Sequence, residues 1–241
     1  PPGTGGRPLV FLDPGHGGEE DGATGVSGAV EKDLVLDVAL HVQRVLEEGG
    51  QVDVQLTRSA DEDVALVRRP RMANAAGADV FVSLHMNWVP STRVRGVETY
   101  YLNTATDEAA ERLAYRENLN VEDAPTELEA ILADLRLAGN VEASRALADR
   151  IHRQLVDDLS EFYGDESQRD RGVRTALFAV LVRAEMPAVL VELCFLSHED
   201  EERRARTRAF QEQSAQAISD GIVGFLRDQG RLPPPDPLAD P

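Results

Sequence analysis

His16 lies in a glycine-lined turn, Asp13-Pro14-Gly15-His16-Gly17-Gly18, directly after an apolar run. A strand that ends in such a turn presents an imidazole at the rim of a sheet, where solvent and a substrate have access to it. His85 ends a second apolar run, and Glu192 follows a third. Because ligands bind at the carboxyl ends of strands in open α/β sheets, we expect these side chains to converge.

Glu31 stands at the start of the first long helix and joins His16, His85 and Glu192 as a candidate site residue. Two histidines and one carboxylate form a catalytic zinc set that leaves a fourth position for water. Each residue also has a plainer interpretation: a histidine after a strand as a hydrogen-bonded loop residue, and Glu31 as a first-turn acid favoured by the helix dipole. Glu192 stands out, because a carboxylate between apolar residues is costly unless a metal or a donor is near.

The composition excludes several classes of partner. With 241 residues, 42% of them hydrophobic, the chain is long enough for one domain with a full core. A net charge of −18 and an isoelectric point near 4.6 argue against a nucleic acid or an anionic membrane as partner. Cys194 is the only cysteine, so no intramolecular disulfide forms. No apolar stretch approaches the roughly 20 residues that a transmembrane segment needs.

The two ends of the chain differ from the rest in composition. Residues 1–7 are rich in glycine and proline and are interpreted as a linker, with an export signal removed upstream. Residues 231–241 are rich in proline and are predicted to form a disordered tail. A single domain over residues 8–230 remains between them.

Strand-like and helix-like patterns alternate along this domain, which predicts an α/β fold. We expect a twisted, mixed, mostly parallel sheet covered by helices on both faces, with a helical insert. The segment 96–102 is predicted as a strand at or near a sheet edge. The predicted strands span 8–13, 52–56, 80–84, 96–102, 176–182 and 188–192, and the helices span 30–48, 68–76 and 207–227. Residues 107–163 are predicted as helical, with breaks near 120–125 and 139–140.

Several motifs, in order over about residues 9–225, resemble those of the zinc-dependent N-acetylmuramoyl-L-alanine amidases. They are Leu12-Asp13-Pro14-Gly15-His16-Gly17-Gly18, Glu31-Lys32-Asp33, Thr57-Arg58, Ala73-Asn74 with Ala78-Asp79, Ser83-Leu84-His85-Met86-Asn87, Gly96-Val97-Glu98 and Met186-Pro187-Ala188-Val189-Leu190-Val191-Glu192.

The resemblance implies a bacterial peptidoglycan hydrolase, periplasmic or extracellular, that cleaves the amide between the lactyl group of N-acetylmuramic acid and L-alanine. It implies that His16, Glu31 and His85 hold one Zn²⁺ per chain and that Glu192 is the catalytic residue that handles protons. Zinc polarises the scissile carbonyl and lowers the pKa of water. Glu192 would accept the water proton and deliver one to the leaving amine.

Three further residues are candidates for substrate binding or for support of the metal ligands. Asn87 would share a strand face with His85 and contact the glycopeptide, or form a turn. Asp13 would hydrogen-bond a liganding imidazole, or cap the glycine-rich turn. Arg58 would pair with a stem-peptide carboxylate, or form a structural salt bridge. Cys194 departs from the family pattern, which has glycine there, and is interpreted as an apolar filler rather than a ligand.

A helical insert is predicted over about residues 106–142. The stretch from Ala114 to Leu159 resembles the insert of the cell-division branch of the family, notably at Glu117-Asn118 and Ile131-Leu132-Ala133-Asp134-Leu135. In that branch a helix covers the active site until a partner displaces it. Glu117 is the first candidate for an autoinhibitory carboxylate in the open zinc position, followed by Glu127 and Glu129. The alternative is an acidic, solvated helix. The resemblance implies an activator of the LytM or coiled-coil type.

Three competing hypotheses remain. A related zinc amidohydrolase or peptidase would share the site and differ in substrate. A catalytically silent cell-wall-binding module would use the fold for recognition, but it has no need of an open metal position beside a base. A phosphate-binding loop at Gly15-His16-Gly17-Gly18 is disfavoured, because no Gly-Lys-Ser/Thr sequence follows.

Overall fold

The computed structural model describes residues 6–119, 127–164 and 170–234 of the 241-residue chain, and for residues 127–139 only the helical backbone. The elements of this part of the chain are β1 (Leu9–Pro14), α1 (Glu31–Gly49), β2 (Asp53–Leu56), α2 (Arg68–Ala76), β3 (Val80–Asn87), β4 (Val97–Leu102), α3 (Glu108–Glu117), α4 (Glu127–Tyr163), β5 (Asp170–Ala176), α5 (Ala179–Val182), β6 (Ala188–Phe195), α6 (Glu199–Ala205) and α7 (Arg208–Asp228). The strands form one sheet in the order β2-β1-β3-β6-β4-β5. Neighbours are parallel except β4 and β6. The predicted single α/β domain with a mixed, mostly parallel sheet is confirmed.

A layer of helices covers each face of the sheet. In β1, Val10 and Leu12 point into the larger core, which contains residues of α1, α4 and α7. Phe11 points into the smaller core with residues of α2, α3 and α5. Strands β3 and β6 are buried along their whole length, as expected for continuous apolar runs in a parallel sheet. The prediction that helices cover both faces is confirmed.

Helix α4 runs without interruption through Gly139 and Asn140, where a break was predicted. Asn140 donates from Nδ2 to the carbonyl oxygen of Glu185 at 2.8 Å, so its side chain makes a tertiary contact. One glycine costs a helix only about 1 kcal/mol. The buried side chains of Leu147 and Ile151 hold the following turns against the core. The prediction of this break was wrong, because packing outweighs the local preference. The break predicted near 120–125 lies outside the described residues.

The predicted strand at 176–182 is wrong for most of its length. Strand β5 lies earlier and pairs in parallel with β4, so β5 is the sheet edge and β4 is next to it. The apolar residues that follow form the short helix α5, whose Val180 and Leu181 are buried in the smaller core. A short apolar run is compatible with either a strand or a buried helical turn, and periodicity does not distinguish them.

The described residues at the chain ends contact the domain. Arg231 and Leu232 lie within the predicted tail, yet Arg231 forms an ion pair with Asp79 and Leu232 is buried. Residues 1–5 and 235–241 lie outside the described residues. The domain limits of 8 and 230 therefore stay a prediction. None of the described helices has the length and apolarity of a membrane-spanning segment.

Candidate functional site

Three neighbouring parallel strands, β1, β3 and β6, end at the same edge of the sheet. His85 in β3 and Glu192 in β6 are register partners. His16 follows β1 in the glycine-rich turn, and Glu31 is the first residue of α1. The topology therefore brings together the side chains that the sequence analysis singled out, although they are far apart along the chain.

Glu31 links the two imidazoles. Its Oε1 lies 3.1 Å from His85 Nδ1 and its Oε2 lies 3.3 Å from His16 Nε2. The candidate ligand atoms of these three residues all lie within 4.8 Å of one another. The Glu31 carboxylate also accepts the backbone N–H groups of Ala23 and Met86, at 2.7 and 2.9 Å. These bonds fix the orientation of the carboxylate toward the histidines.

Glu117, the last residue of α3, adds a carboxylate to the same cluster. Its Oε2 lies 3.3 Å from His16 Nε2 and 3.5 Å from His85 Nδ1. Glu117 also forms a candidate ligand group with His85 and Glu192, again within 4.8 Å. Its side chain is only 7% exposed. The structure therefore places Glu117 beside both imidazoles and not on a solvated helix face.

Two buried atoms of the cluster have no hydrogen-bond partner among the described residues: His16 Nε2 and Glu192 Oε2. The carboxylate oxygens nearest His16 Nε2 lie at 3.3 Å but do not have hydrogen-bond geometry. Unsatisfied buried polar atoms are uncommon and call for an explanation such as an ion. Imidazole nitrogens with a carboxylate oxygen are a donor set that suits zinc. The residues therefore fit a divalent metal.

Gly15 and Gly22 leave the space that the histidines occupy. A Cβ atom at Gly15 would lie 2.4 Å from His85 Cε1, and one at Gly22 would lie 2.6 Å from Glu31 Oε2. Gly22 also has φ 70°, a conformation that strains residues with a side chain. A side chain at either position would therefore displace a candidate ligand.

Burial and neighbouring charges shift the pKa values of the side chains in the cluster in different directions. Burial, together with the charges of Glu31 and Glu117, raises the pKa of Glu192 well above its usual range. Burial also opposes ionisation of Glu31, but His16 and His85 outweigh it and hold the Glu31 pKa well below its usual range. Burial would lower the pKa of His16, yet Glu31 and Glu117 raise it well above its usual value. Glu31 is therefore a carboxylate, while Glu192 is suited to carry a proton.

Two buried arginines hold the turn that carries His16. His16 has φ 57° and is the only described non-glycine residue with a positive φ. Arg69 donates to the carbonyl oxygens of Pro14 and His16 at 2.9 and 2.7 Å. Arg58 donates to those of Pro14 and Gly15 at 3.0 and 2.7 Å. The arginines therefore stabilise a strained backbone at the site.

This placement corrects both interpretations of Arg58. The residue is 2% exposed, so it does not reach a substrate carboxylate. It has no ion pair within the described part of the chain; its guanidinium also donates to the carbonyl oxygens of Lys32 and Ala60, at 2.8 and 3.1 Å. The physical reason is that a tight, glycine-rich turn leaves carbonyl groups that need donors.

Asp13, in β1 directly before the turn, binds one of the arginines that hold the turn. Its carboxylate accepts hydrogen bonds from Thr57 Oγ1 at 2.6 Å, Arg69 Nη1 at 2.8 Å and Ser83 Oγ at 2.7 Å. Burial opposes its ionisation, but Arg69 and these donors lower the pKa of Asp13. Within the described residues it makes no hydrogen bond to an imidazole. The hypothesis that Asp13 orients a liganding histidine is corrected, because donors from three other residues occupy its oxygens.

Asn87 lies on β3, not in a turn, and joins a buried polar network. Its Nδ2 donates to Glu98 Oε2 at 3.2 Å, and its Oδ1 accepts from Arg116 Nη2 at 3.1 Å. Arg116 also donates to Glu117 Oε1 at 3.2 Å. The sequence analysis missed Arg116 and the role of Glu98. For Glu98 the available signal was one acid within an otherwise uncharged strand; Arg116 gave no signal.

The remaining candidate residues either lie apart from the cluster or have side chains outside the described residues. Cys194 is fully buried in the larger core and belongs to neither candidate ligand group. Burial raises the pKa of its thiol well above the usual value. The side chains of Glu127 and Glu129 lie outside the described residues.

A sequence profile of the Amidase_3 family, described as N-acetylmuramoyl-L-alanine amidase, matches residues 10–223. The chain belongs to this amidase family. It is 33% identical over 232 residues to N-acetylmuramoyl-L-alanine amidase AmiA of Escherichia coli (strain K12), a match that covers 92% of this chain and 78% of AmiA. It is 36% identical over 230 residues to AmiC of Neisseria meningitidis serogroup B, covering 91% of this chain and 53% of AmiC.

Solved amidase structures share the fold. N-acetylmuramoyl-L-alanine amidase AmiC2 of Nostoc punctiforme aligns with a TM-score of 0.71 at 30% identity, covering 92% of this chain and 98% of that one. The catalytic domain of the amidase CwlV from Bacillus (Paenibacillus) polymyxa var. colistinus aligns with a TM-score of 0.71 at 31% identity, covering 92% and 99%. The described domain therefore has the architecture of an amidase catalytic domain.

Proposed function

We propose that this amidase hydrolyses peptidoglycan between the lactyl group of N-acetylmuramic acid and L-alanine, with one Zn²⁺ per chain. The observation that carries the proposal is the convergence of His16, Glu31 and His85 at one sheet edge, with Glu192 beside them. A wall-binding module has no use for this combination of ligands and proton carrier. Family membership supports the amide as the bond that is cleaved.

His16, Glu31 and His85 would hold the zinc ion. When bound, zinc supplies Lewis acidity that polarises the scissile carbonyl and makes water a nucleophile near neutral pH. The Glu31 carboxylate is held by backbone N–H groups of Ala23 and Met86, which keeps the ligand set in one arrangement.

Glu192 would transfer the proton that amide hydrolysis requires. It accepts a proton from the attacking water and donates it to the nitrogen of L-alanine, because an amide nitrogen leaves poorly unless protonated. Burial raises the pKa of Glu192, so its carboxylate is a stronger base toward the water proton that it then passes to the amine. Its Oε2, which has no partner among the described residues, is the atom proposed to exchange the proton.

The test joins metal analysis with identification of the products. We expect about one zinc per chain and, from purified sacculi, intact stem peptides with a free L-alanine amino group by mass spectrometry. Glu192→Gln should retain zinc and lower turnover by about 10²- to 10⁴-fold. Release of other fragments would refute the assigned bond, and full activity of Glu192→Gln would refute its proton-transfer role.

We also propose that Glu117 keeps the enzyme autoinhibited. Its carboxylate lies beside both His16 and His85, where a substrate carbonyl must approach. Arg116 fixes this end of α3 by donating to Asn87 Oδ1 and to the backbone oxygen of Trp88. A protein partner, of the LytM or coiled-coil type that the family resemblance implies, would activate the enzyme by displacing α3.

Glu117→Ala should raise hydrolysis of purified sacculi at least about fivefold, the lower end of typical couplings between sites. Glu111→Ala is the matched control, because Glu111 is an exposed acid on the same helix. Its activity should equal that of the wild type. Unchanged or lower activity of folded, zinc-loaded Glu117→Ala would contradict autoinhibition by this carboxylate.

The same proposal places the enzyme in the cell-division branch and in the periplasm or outside the cell. A substrate in the cell wall requires that location, and similarity to AmiA and AmiC supports the branch. A fluorescent fusion of the full-length protein that gathers at division sites would support it, whereas an even distribution along the envelope would contradict the branch.

A further inference from the structure

Two cavities meet at the candidate metal cluster. The smaller, of about 420 Å³, is lined by apolar side chains that include Leu66 and Phe178 and by charged side chains that include Asp63 and Arg69. The larger, of about 630 Å³, is lined by Trp88, Leu119 and acidic residues of the glycine-rich loop. His16 and Glu117 line both cavities. A substrate whose scissile bond lies at His16 therefore extends into a different cavity on each side of that bond.

Trp88 is the distinctive residue of the larger cavity. It is the only tryptophan of the chain, follows β3 directly and is 37% exposed. Its backbone is held on both sides: its N–H donates to Asn87 Oδ1 at 2.7 Å, and its carbonyl oxygen accepts from Arg116. A partly exposed indole on a held backbone offers an apolar surface to a planar or ring-shaped ligand.

The loop side of this cavity carries the carboxylates of Glu19, Glu20 and Asp21; Asp21 forms an ion pair with Lys32 at 2.9 Å, and Glu20 also lines the smaller cavity. Carboxylates accept hydrogen bonds and donate none when ionised, so they suit a ligand rich in hydroxyl groups. An aromatic side chain and acceptor oxygens that line one cavity therefore match a sugar ring, which has an apolar face and hydroxyl donors.

We propose that the larger cavity binds the glycan side of the substrate and that Trp88 is the platform on which a sugar ring stacks. The smaller cavity, which also borders His16, then receives the peptide side. This inference rests on the proposed function, because it assigns the two sides of the bond that the amidase cleaves. It adds a specificity-determining residue outside the metal cluster.

Binding is tested without hydrolysis, because Trp88 is the only tryptophan and reports on its own surroundings. The zinc-loaded full chain and its Glu117→Ala variant are titrated with a neutral disaccharide of two N-acetylglucosamine units, because peptide-free N-acetylmuramic acid carries a lactyl carboxylate that is in amide linkage in the intact substrate. We expect a saturable change of tryptophan fluorescence in at least one of them. An L-alanyl-D-glutamate dipeptide should leave the fluorescence unchanged. No response to the sugar in either protein, or a saturable response to the dipeptide alone, would overturn the proposal.

A kinetic experiment separates this inference from the proposed function. On soluble, peptide-bearing glycan strands, Trp88→Ala should raise KM about tenfold with kcat nearly unchanged, whereas Trp88→Phe should retain most of the affinity. Phe162→Ala is the control, since Phe162 is an exposed aromatic residue outside both cavities. Normal KM of Trp88→Ala would refute the sugar platform while leaving the amidase proposal intact. If no amide hydrolysis is detected at all, the fluorescence titration still decides whether Trp88 binds sugar.

Discussion

His16 combines a strained backbone with a functional side chain. A φ of 57° is unfavourable for a residue with a Cβ atom, and it persists here because Arg69 and Arg58 bind the carbonyl groups of the turn. The conformation turns the imidazole toward His85, whose ring centroid lies 5.0 Å from that of His16. Strain at this one residue thus accompanies the close approach of two candidate ligands.

Gly15 sets the position of the second imidazole, and its replacement should weaken metal binding. In Gly15→Ala the new Cβ would lie 2.4 Å from His85 Cε1, so the ring must move away. We expect the Kd for zinc to rise about 10- to 100-fold, as for other changes that disturb the orientation of a ligand. Competition with a chromogenic chelator measures this Kd.

Gly49→Ala is the matched control for this prediction. Gly49 ends α1, and a Cβ atom there would meet no atom within 4 Å. Its zinc affinity should therefore equal that of the wild type. Equal affinity in Gly15→Ala would show that the ring tolerates displacement and that the glycine is not needed for the ligand set.

At the scale of elements, the sequence was most informative where strands end. The apolar runs before His16, His85 and Glu192 predicted the central strands, because fully buried parallel strands are continuously apolar. The fold class followed from the alternation of strands and helices. Residues 177–182 were mispredicted because a buried helical turn has the same composition as a short strand.

The partners of individual side chains were harder to predict than the elements. Arg58 was expected to meet a carboxylate, but it contacts backbone carbonyl groups, which have no signature in the sequence. Asp13 likewise faces donors from β3 and from the segment after β2. Such contacts depend on how the turn folds back on the sheet, and this is a tertiary property.

Arg58 joins the turn after β1 to the start of α1, so its replacement should destabilise the domain. Arg58→Lys keeps the charge but loses the planar set of donors that reaches Gly15, Lys32 and Ala60. We expect the free energy of unfolding to fall by about 3 kcal/mol, since buried carbonyl groups lose donors. Urea denaturation at a fixed zinc concentration measures the change. Arg71→Lys, at an exposed position of α2, should behave as wild type. An Arg58→Lys protein that is as stable as the Arg71→Lys control would show that the hydrogen bonds of the Arg58 guanidinium do not stabilise the domain.

At the scale of the whole molecule, three carboxylates and two imidazoles lie together at one buried point. Glu31, Glu117 and Glu192 lie around two imidazoles, and their mutual repulsion contributes to the raised pKa of Glu192. The chain as a whole carries −18. A divalent cation at the cluster would offset repulsion that the fold otherwise sustains, so metal binding and folding should be coupled.

Zinc removal should therefore lower the thermal stability of the entire domain. A ligand that binds only the folded chain adds about 4 kcal/mol at a free concentration about 1,000 times its Kd. For a chain of this length, each kcal/mol shifts Tm by about 2–4 °C, so excess zinc should raise Tm by about 10 °C over the chelated protein. Calorimetry of the wild type and of His85→Ala, with chelator and with zinc, measures the shift. It should nearly vanish in His85→Ala, because one candidate ligand is gone. A wild-type Tm that zinc does not change, or an equal shift in His85→Ala, would mean that the cluster at the sheet edge is not the metal site.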